Sequence, residues 1–167
     1  MWPEQVHREL KAAGVRMVGY VPDAGHKELI DLCQADPAIR AVSLTTEEEG
    51  VALAAGAWLG GARAAILMQS SGVGNCVNMF SLIDECRFPL LMLVTMRGEW
   101  GETNPWQVPM GQNTAAVLRL SGVAVQHVDE VRDLGEAVAA AAQLAFVSNR
   151  ACAVLIGQRL VGAKRFE

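Results

Sequence analysis

Lysine is scarce in this chain, occurring only at positions 11, 27 and 164, and the 14 basic residues are outnumbered by 18 acidic ones. The net charge of −4 and the lack of any basic stripe exclude the electrostatic footprint that nucleic-acid binding needs. Cysteine occurs at Cys33, Cys76, Cys86 and Cys152, but no two stand in a CxxC pair. All four fall in apolar or helical patterns and are expected to be buried, reduced thiols, which suits a reducing cytoplasm. The histidines are His7, His26 and His127, none paired at metal-ligand spacing, so no metal site is expected on this chain. No apolar run approaches the roughly 20 residues of a membrane span. The start MWPEQVHREL has no basic segment followed by an apolar core, so it does not read as a secretory signal. The protein is therefore expected to be soluble and cytoplasmic. GxxxxGK[ST] and GxSxG are missing too, which removes the usual signatures of nucleoside-triphosphate and serine-hydrolase chemistry.

What is present is an α/β pattern. With 167 residues, 51% hydrophobic and only 5% aromatic, the chain is long enough for one domain, 1–167, with a substantial Ala/Val/Leu-rich core. Apolar runs at 15–21, 39–44, 63–69, 88–95, 122–128 and 151–157 read as strands. Helical patterns occupy 4–13, 25–35, 46–60, 73–85, 111–120 and 130–148, and the tail VGAKRFE is expected to end loosely on the surface. The runs at 63–69, 88–95 and 151–157 are apolar nearly throughout, the mark of strands covered on both faces. The alternation predicts a single doubly wound domain, an about six-stranded parallel sheet with helices on both faces.

In such sheets ligands bind outside the carboxyl ends of the strands, and the unusual residues of this sequence gather there. Glu47, Glu48 and Glu49 open a helix of small residues. Thr45 and Glu48 match a capping box, and acids in a first turn also suit the helix dipole; a carboxylate carried into an interface is the other reading, and the pattern leaves both open. Residues 69–75 (QSSGVGN) read as a glycine-rich turn whose bare amides could cradle an anion. Gly72-x-Gly74 lacks the third glycine of a dinucleotide fingerprint. His26 follows the first strand, on the ligand side. The stretch 96–110 (MRGEWGETNPWQVPM) is unusually long for a strand–helix connection, and reads as a lid or a docking surface.

Taken together, VPDAGHKELI (21–30), TEEEGVALAAGAWLGG (46–61), AILMQSSGVGNCVNMFSLID (65–84) and MRGE with a following VPMGQ (96–99 and 108–112) carry a resemblance. The chain resembles the pyrimidine-binding domain of thiamine diphosphate-dependent decarboxylases, in the branch acting on sulfopyruvate and phosphonopyruvate. The resemblance implies that the family's acid is Glu47, nine residues before Gly56, with Glu48 and Glu49 as capping neighbours. Such an acid is partly buried and hydrogen-bonds a ring nitrogen of the aminopyrimidine, favouring the imino tautomer that removes the thiazolium proton. A 2-oxo acid then loses carbon dioxide and leaves as the aldehyde. Gln69, Ser71, Gly72, Gly74 and Asn75 are implied to line the cofactor cleft with Glu47. Arg97 is the first choice, and His26 the second, for gripping a sulfonate or phosphonate; a surface ion pair of Arg97 with Glu99 or Glu102 is the competing assignment.

The family's GDG motif and later asparagine pair, which hold Mg²⁺ and the diphosphate, have no counterpart here: the chain has no Asp-Gly and no Asn-Asn. The resemblance thus implies a beta subunit carrying the diphosphate and Mg²⁺ site, thiamine diphosphate shared between the chains, self-association into dimers or larger, and no activity alone. Three alternatives stand beside this: a split acetolactate-type enzyme, a non-catalytic interaction module of the same fold, and a nucleotide-binding module using Gly72 and Gly74.

Overall fold

Each apolar run pairs with its neighbours in one direction, and the connecting helices close over both sides. The computed structural model describes residues 1–162; most of the tail VGAKRFE, 163–167, lies outside the described residues. The elements are α1 (Trp2–Ala12), β1 (Val15–Tyr20), α2 (Lys27–Ala35), β2 (Arg40–Ser43), α3 (Glu47–Leu59), β3 (Arg63–Gln69) and α4 (Ser70–Cys76). They continue with a 3-10 turn (Asn78–Phe80), α5 (Ser81–Cys86), β4 (Leu90–Thr95) and a second 3-10 turn (Pro105–Gln107). The last are α6 (Val108–Leu120), β5 (Ala124–Val128), α7 (Val131–Ser148), β6 (Ala151–Ile156) and α8 (Gln158–Val161). All six strands are parallel, in the order β2-β1-β3-β4-β6-β5. The doubly wound α/β architecture expected from the sequence is thus the observed one.

Alternation along the central strands builds two cores. Ala65, Leu67, Leu91, Leu93, Cys152 and Val154 face α1, α2 and α7. Ala64, Ile66, Met68, Leu90, Met92, Ala153 and Leu155 face α3, α4 and α6. Successive side chains on a strand point to opposite faces, so a strand covered on both sides has to be apolar at every position. The crossovers out toward either edge and back again place helices on opposite faces, as right-handed connections require. Since β1 lies between β2 and β3, the chain reverses direction there, and a crevice opens at the carboxyl ends of β1 and β3.

Three local expectations are corrected. Residues 69–75 are not a turn: β3 ends at Gln69 and α4 begins at Ser70 with no loop between them. A run of serine and glycine suits a first helical turn, where amides are free of intrahelical partners, as well as it suits a loop. The helix expected at 73–85 is instead two short helices separated by the 3-10 turn, and α5 ends on Arg87 in the left-handed region (φ 52°). Finally α6 begins at Val108, not 111, because Pro109 sits in its first turn, where no backbone N–H is required.

Cys33, Cys76 and Cys152 are buried free thiols, and burial pushes them up to about 12, about 12 and about 11. Cys86 is exposed, contrary to the sequence reading, because α5 is a short surface helix that buries none of its residues. Among the described residues no helix is long and apolar enough to cross a membrane.

The two-sided core makes a definite demand on β4. Leu91→Ala should cost about 2–5 kcal/mol in chemical denaturation, while Leu120→Ala, at a position 90% exposed, should stay within about 0.5 kcal/mol of the parent.

Candidate active site

At the mouth of α3 the three glutamates part company. Glu48 and Glu49 are exposed, whereas Glu47, the first helical residue, is 9% exposed. The capping expected of Thr45 and Glu48 is shifted by one residue. Thr46 is the N-cap and makes no side-chain cap, while Glu49 Oε2 reaches back to accept the Thr45 backbone N–H at 2.8 Å. Glu47, thereby freed of capping, turns toward α4. Asn75 Nδ2 donates to Glu47 Oε2 at 2.8 Å, and Oε1 accepts no hydrogen bond among the described residues. Gly72 makes the approach possible: a Cβ there would overlap the Glu47 carboxyl group. Gly74, by contrast, is exposed and faces only the flexible Met110 side chain.

The small residues of α3 serve this placement on one side only. Gly50, Ala54 and Ala57 are buried against the sheet, and a Cβ on Gly50 would come within 2.9 Å of Ile66. Ala52 and Gly56 face outward, with nothing within 4 Å of a Cβ at Gly56.

A second polar cluster caps β1, β3 and β4. Asp23 Oδ1 accepts from Gln69 Nε2 at 2.9 Å and Oδ2 accepts from Thr95 Oγ1 at 2.7 Å. Ser71 Oγ donates to Gln69 Oε1 at 3.0 Å, which fixes the orientation of that amide. Asp23, Gln69 and Thr95 border a cavity of about 150 Å³ whose wall also includes Arg97, Val161 and Gly162. The segment 69–75 therefore serves both clusters, touching Asp23 through Gln69 and Glu47 through Gly72 and Asn75. Asp23 and Thr95 come from segments 72 residues apart, and their meeting depends on strand order, which no local pattern reveals.

Arg97 lines this cavity, yet its guanidinium is committed. Nε and Nη2 donate to Glu102 Oε2 and Oε1 at 2.6 and 2.5 Å, with both side chains buried. Of the two partners open from sequence, Glu102 is the real one, and the pair is interior rather than at the surface. The Arg97 fork, helped by the backbone N–H groups of Asn104 and Gly98, holds the Glu102 carboxyl down at about 2. Glu99 turns instead to His127, Nε2 to Oε1 at 2.9 Å. Nη1 of Arg97 makes no hydrogen bond among the described residues.

His26 is placed differently from the sequence expectation. It is fully buried, and Nε2 donates to the Leu93 carbonyl at 3.1 Å. Burial pushes its pKa below the ordinary value, with the nearby Asp23 charge opposing. A neutral imidazole under the sheet edge, with the Trp2 ring edge-on at 6.3 Å, braces the β1–α2 junction and does not face the cavity. The substrate contact expected of it is withdrawn on that ground.

Residues 3–104 match the family described as thiamine pyrophosphate enzyme, N-terminal TPP binding domain. The chain belongs to this family. It is 36% identical to sulfopyruvate decarboxylase subunit alpha of Methanothermobacter thermautotrophicus over 154 residues, 92% of this chain and 93% of that one. It is 40% identical to phosphonopyruvate decarboxylase of Streptomyces viridochromogenes over 113 residues, 66% of this chain but only 28% of that one. Among solved structures, 2-oxoglutarate:ferredoxin oxidoreductase from Magnetococcus marinus superposes with a TM-score of 0.75 over 96% of this chain and 29% of its own, at 16% identity, a likeness of fold alone.

The matched TPP-binding region contains Asp23, Glu47, Gln69 to Asn75, Arg97 and Glu102, while Gln158, which meets the 98–102 loop from α8, lies beyond it.

Two outcomes follow from this geometry. Gly72→Ala should destabilise the fold by about 1–3 kcal/mol in urea denaturation, because the added methyl displaces Glu47, whereas Gly74→Ala should be near neutral. The Glu99 hydrogen bond raises the His127 pKa, so the pair stabilises fully below the unfolded value of about 6.5 and fades as pH rises through the higher folded value. Melting temperature should therefore fall between about pH 6 and pH 9, and less so in His127→Gln; at 34% exposure the effect is small.

Proposed function

We propose that this chain is the alpha subunit of a thiamine diphosphate-dependent decarboxylase whose substrate is a 2-oxo acid with a sulfonate or phosphonate tail, sulfopyruvate first. One observation carries the reading: Glu47 is a nearly buried carboxylate with a single protein donor and one oxygen left over. That donor set fits a nitrogen heterocycle, and the Gly72 cradle gives the carboxylate its place. When bound, the cofactor supplies the electron sink for loss of carbon dioxide. Glu47 Oε1 is proposed to hold a proton shared with the aminopyrimidine ring, while Asn75 keeps the carboxylate from turning away. Gln69, oriented by Ser71 and Asp23, presents a fixed amide toward the cavity. Gly74 is proposed to keep the exposed side of α4 open to a flat ligand, while Gly72 binds indirectly, by making the room in which Glu47 reaches the cofactor. Arg97 is proposed to meet the anionic tail through Nη1, with Glu102 locking the plane of the guanidinium.

The same reading places Mg²⁺ and the diphosphate on a beta subunit, with the alpha and beta chains pairing into a heterotetramer or larger in the cytoplasm, and makes residues 1–167 a pyrimidine-binding domain. What supports it is the Methanothermobacter relative, which matches 92% of this chain and bears the name subunit alpha.

The decisive variant is Glu47→Gln in the complex reconstituted with the beta chain. Turnover of sulfopyruvate should drop roughly 10²- to 10⁴-fold while size-exclusion chromatography shows assembly intact. An unchanged rate removes Glu47 from the chemistry, and pyruvate turned over as fast as sulfopyruvate removes the proposed substrate class.

A further inference from the structure

Gln158 opens α8, is 1% exposed, and does not itself line the cavity just described. Its amide is nonetheless used from both ends. Oε1 accepts the backbone N–H groups of Glu99 and Trp100, both at 2.9 Å, and Nε2 donates to Glu102 Oε2 at 3.0 Å. Its own backbone N–H donates to Glu99 Oε2 at 3.2 Å. Turning the amide over would set an NH₂ against two N–H donors and a carbonyl against a carboxylate, so the network admits one orientation.

The carboxylate that Gln158 touches is the one gripping Arg97. Glu102 also accepts the backbone N–H groups of Gly98 and Asn104, at 3.2 and 3.0 Å, so the loop after β4 closes on a single charge. That closed loop is tied to α8 at Gln158, besides its ties to Ser70, Gln112 and His127. Three and four residues on from Gln158, Val161 and Gly162 line the same cavity as Arg97. Gln158 therefore links the part of the cavity that carries Arg97 to the part that carries Val161 and Gly162.

We propose that Gln158 is a positioning residue: it holds the Arg97–Glu102 pair against the cavity and so sets affinity for the anionic end of the substrate. This rests on the reading that Arg97 meets that end, and the experiment separates the two. Gln158→Met keeps size but removes both hydrogen-bonding functions; Gln158→Glu keeps the acceptor and sets a carboxylate against Glu102. Charged groups facing this position are Arg97, Glu99 and Glu102 from the loop and His127 from β5, with Asp129 and Arg159 close by.

In the alpha–beta complex, amide hydrogen exchange over residues 98–104 should speed up at least tenfold in Gln158→Met. The sulfopyruvate KM should rise about tenfold, as loss of one charge-assisted contact would cause, with kcat falling less than twofold and pyruvate KM unmoved. In Gln158→Glu the sulfopyruvate KM should recover toward the parent as pH is lowered and the new carboxyl gains a proton to donate; Gln158→Met should show no such recovery. Parent-like exchange over 98–104 in both variants overturns the proposal. Faster exchange with sulfopyruvate and pyruvate KM changed equally also overturns it, since the loop would then matter only for folding. If the parent complex turns over neither acid, the functional reading fails, and the exchange experiment alone decides whether Gln158 sets the loop.

Discussion

Parallel pairing of all six strands is the constraint from which the site follows. Each strand has to deliver its carboxyl end to the same edge of the sheet, and the polar residue that comes next has to find partners there. Asp23, Gln69 and Thr95 leave β1, β3 and β4 within hydrogen-bonding distance of one another, and Gln158 leaves β6 beside the loop that follows β4. None of these pairs is close in sequence. The direction of the strands brings them together, and the two apolar cores on either side hold the strands in register.

That edge is rich in acids, and the way each is supported separates their roles. Glu102 has the Arg97 fork, two backbone N–H groups and an amide, and is held ionised at about 2. Asp23 has a hydroxyl and an amide. Glu47 has one amide. A buried charge with full support is part of the framework, because removing a partner leaves it uncompensated at a cost of several kcal/mol. Of these, Glu47 is the buried acid with an oxygen left to accept a hydrogen bond from something that arrives later, as the proposed role requires.

The sheet was legible because strands covered on both faces cannot hide: the runs at 63–69, 88–95 and 151–157 carry no polar residue except at their ends. Helix limits were less so where composition is ambiguous, as at Ser70 to Asn75, where serine and glycine serve a helix entry as readily as a turn. Local pattern could not tell Glu47, Glu48 and Glu49 apart, since all three suit a first turn; burial against Gly72 sets Glu47 apart from its neighbours, and in the sequence the resemblance alone pointed to it. Spacing left Arg97 two carboxylate partners, and the path of the loop decides for Glu102. Asp23, Thr95 and Gln158 act through contacts between distant segments, and His26 is ruled out by depth, neither of which leaves a trace in one sequence.

The side chains of the proposed acid and the proposed tail-binding residue are held by different partners. The Glu47 carboxyl is held by α4, whereas the Arg97 guanidinium, on the loop after β4, is held by Glu102, which Gln158 of α8 touches in turn, even though the Arg97 backbone N–H donates to Ser70 at the start of α4. A lineage could therefore exchange residues in that loop, and with them the preferred tail group, without disturbing the carboxylate. Diversification of specificity and conservation of chemistry become independent traits, which is how a single architecture can give rise to several selectivities.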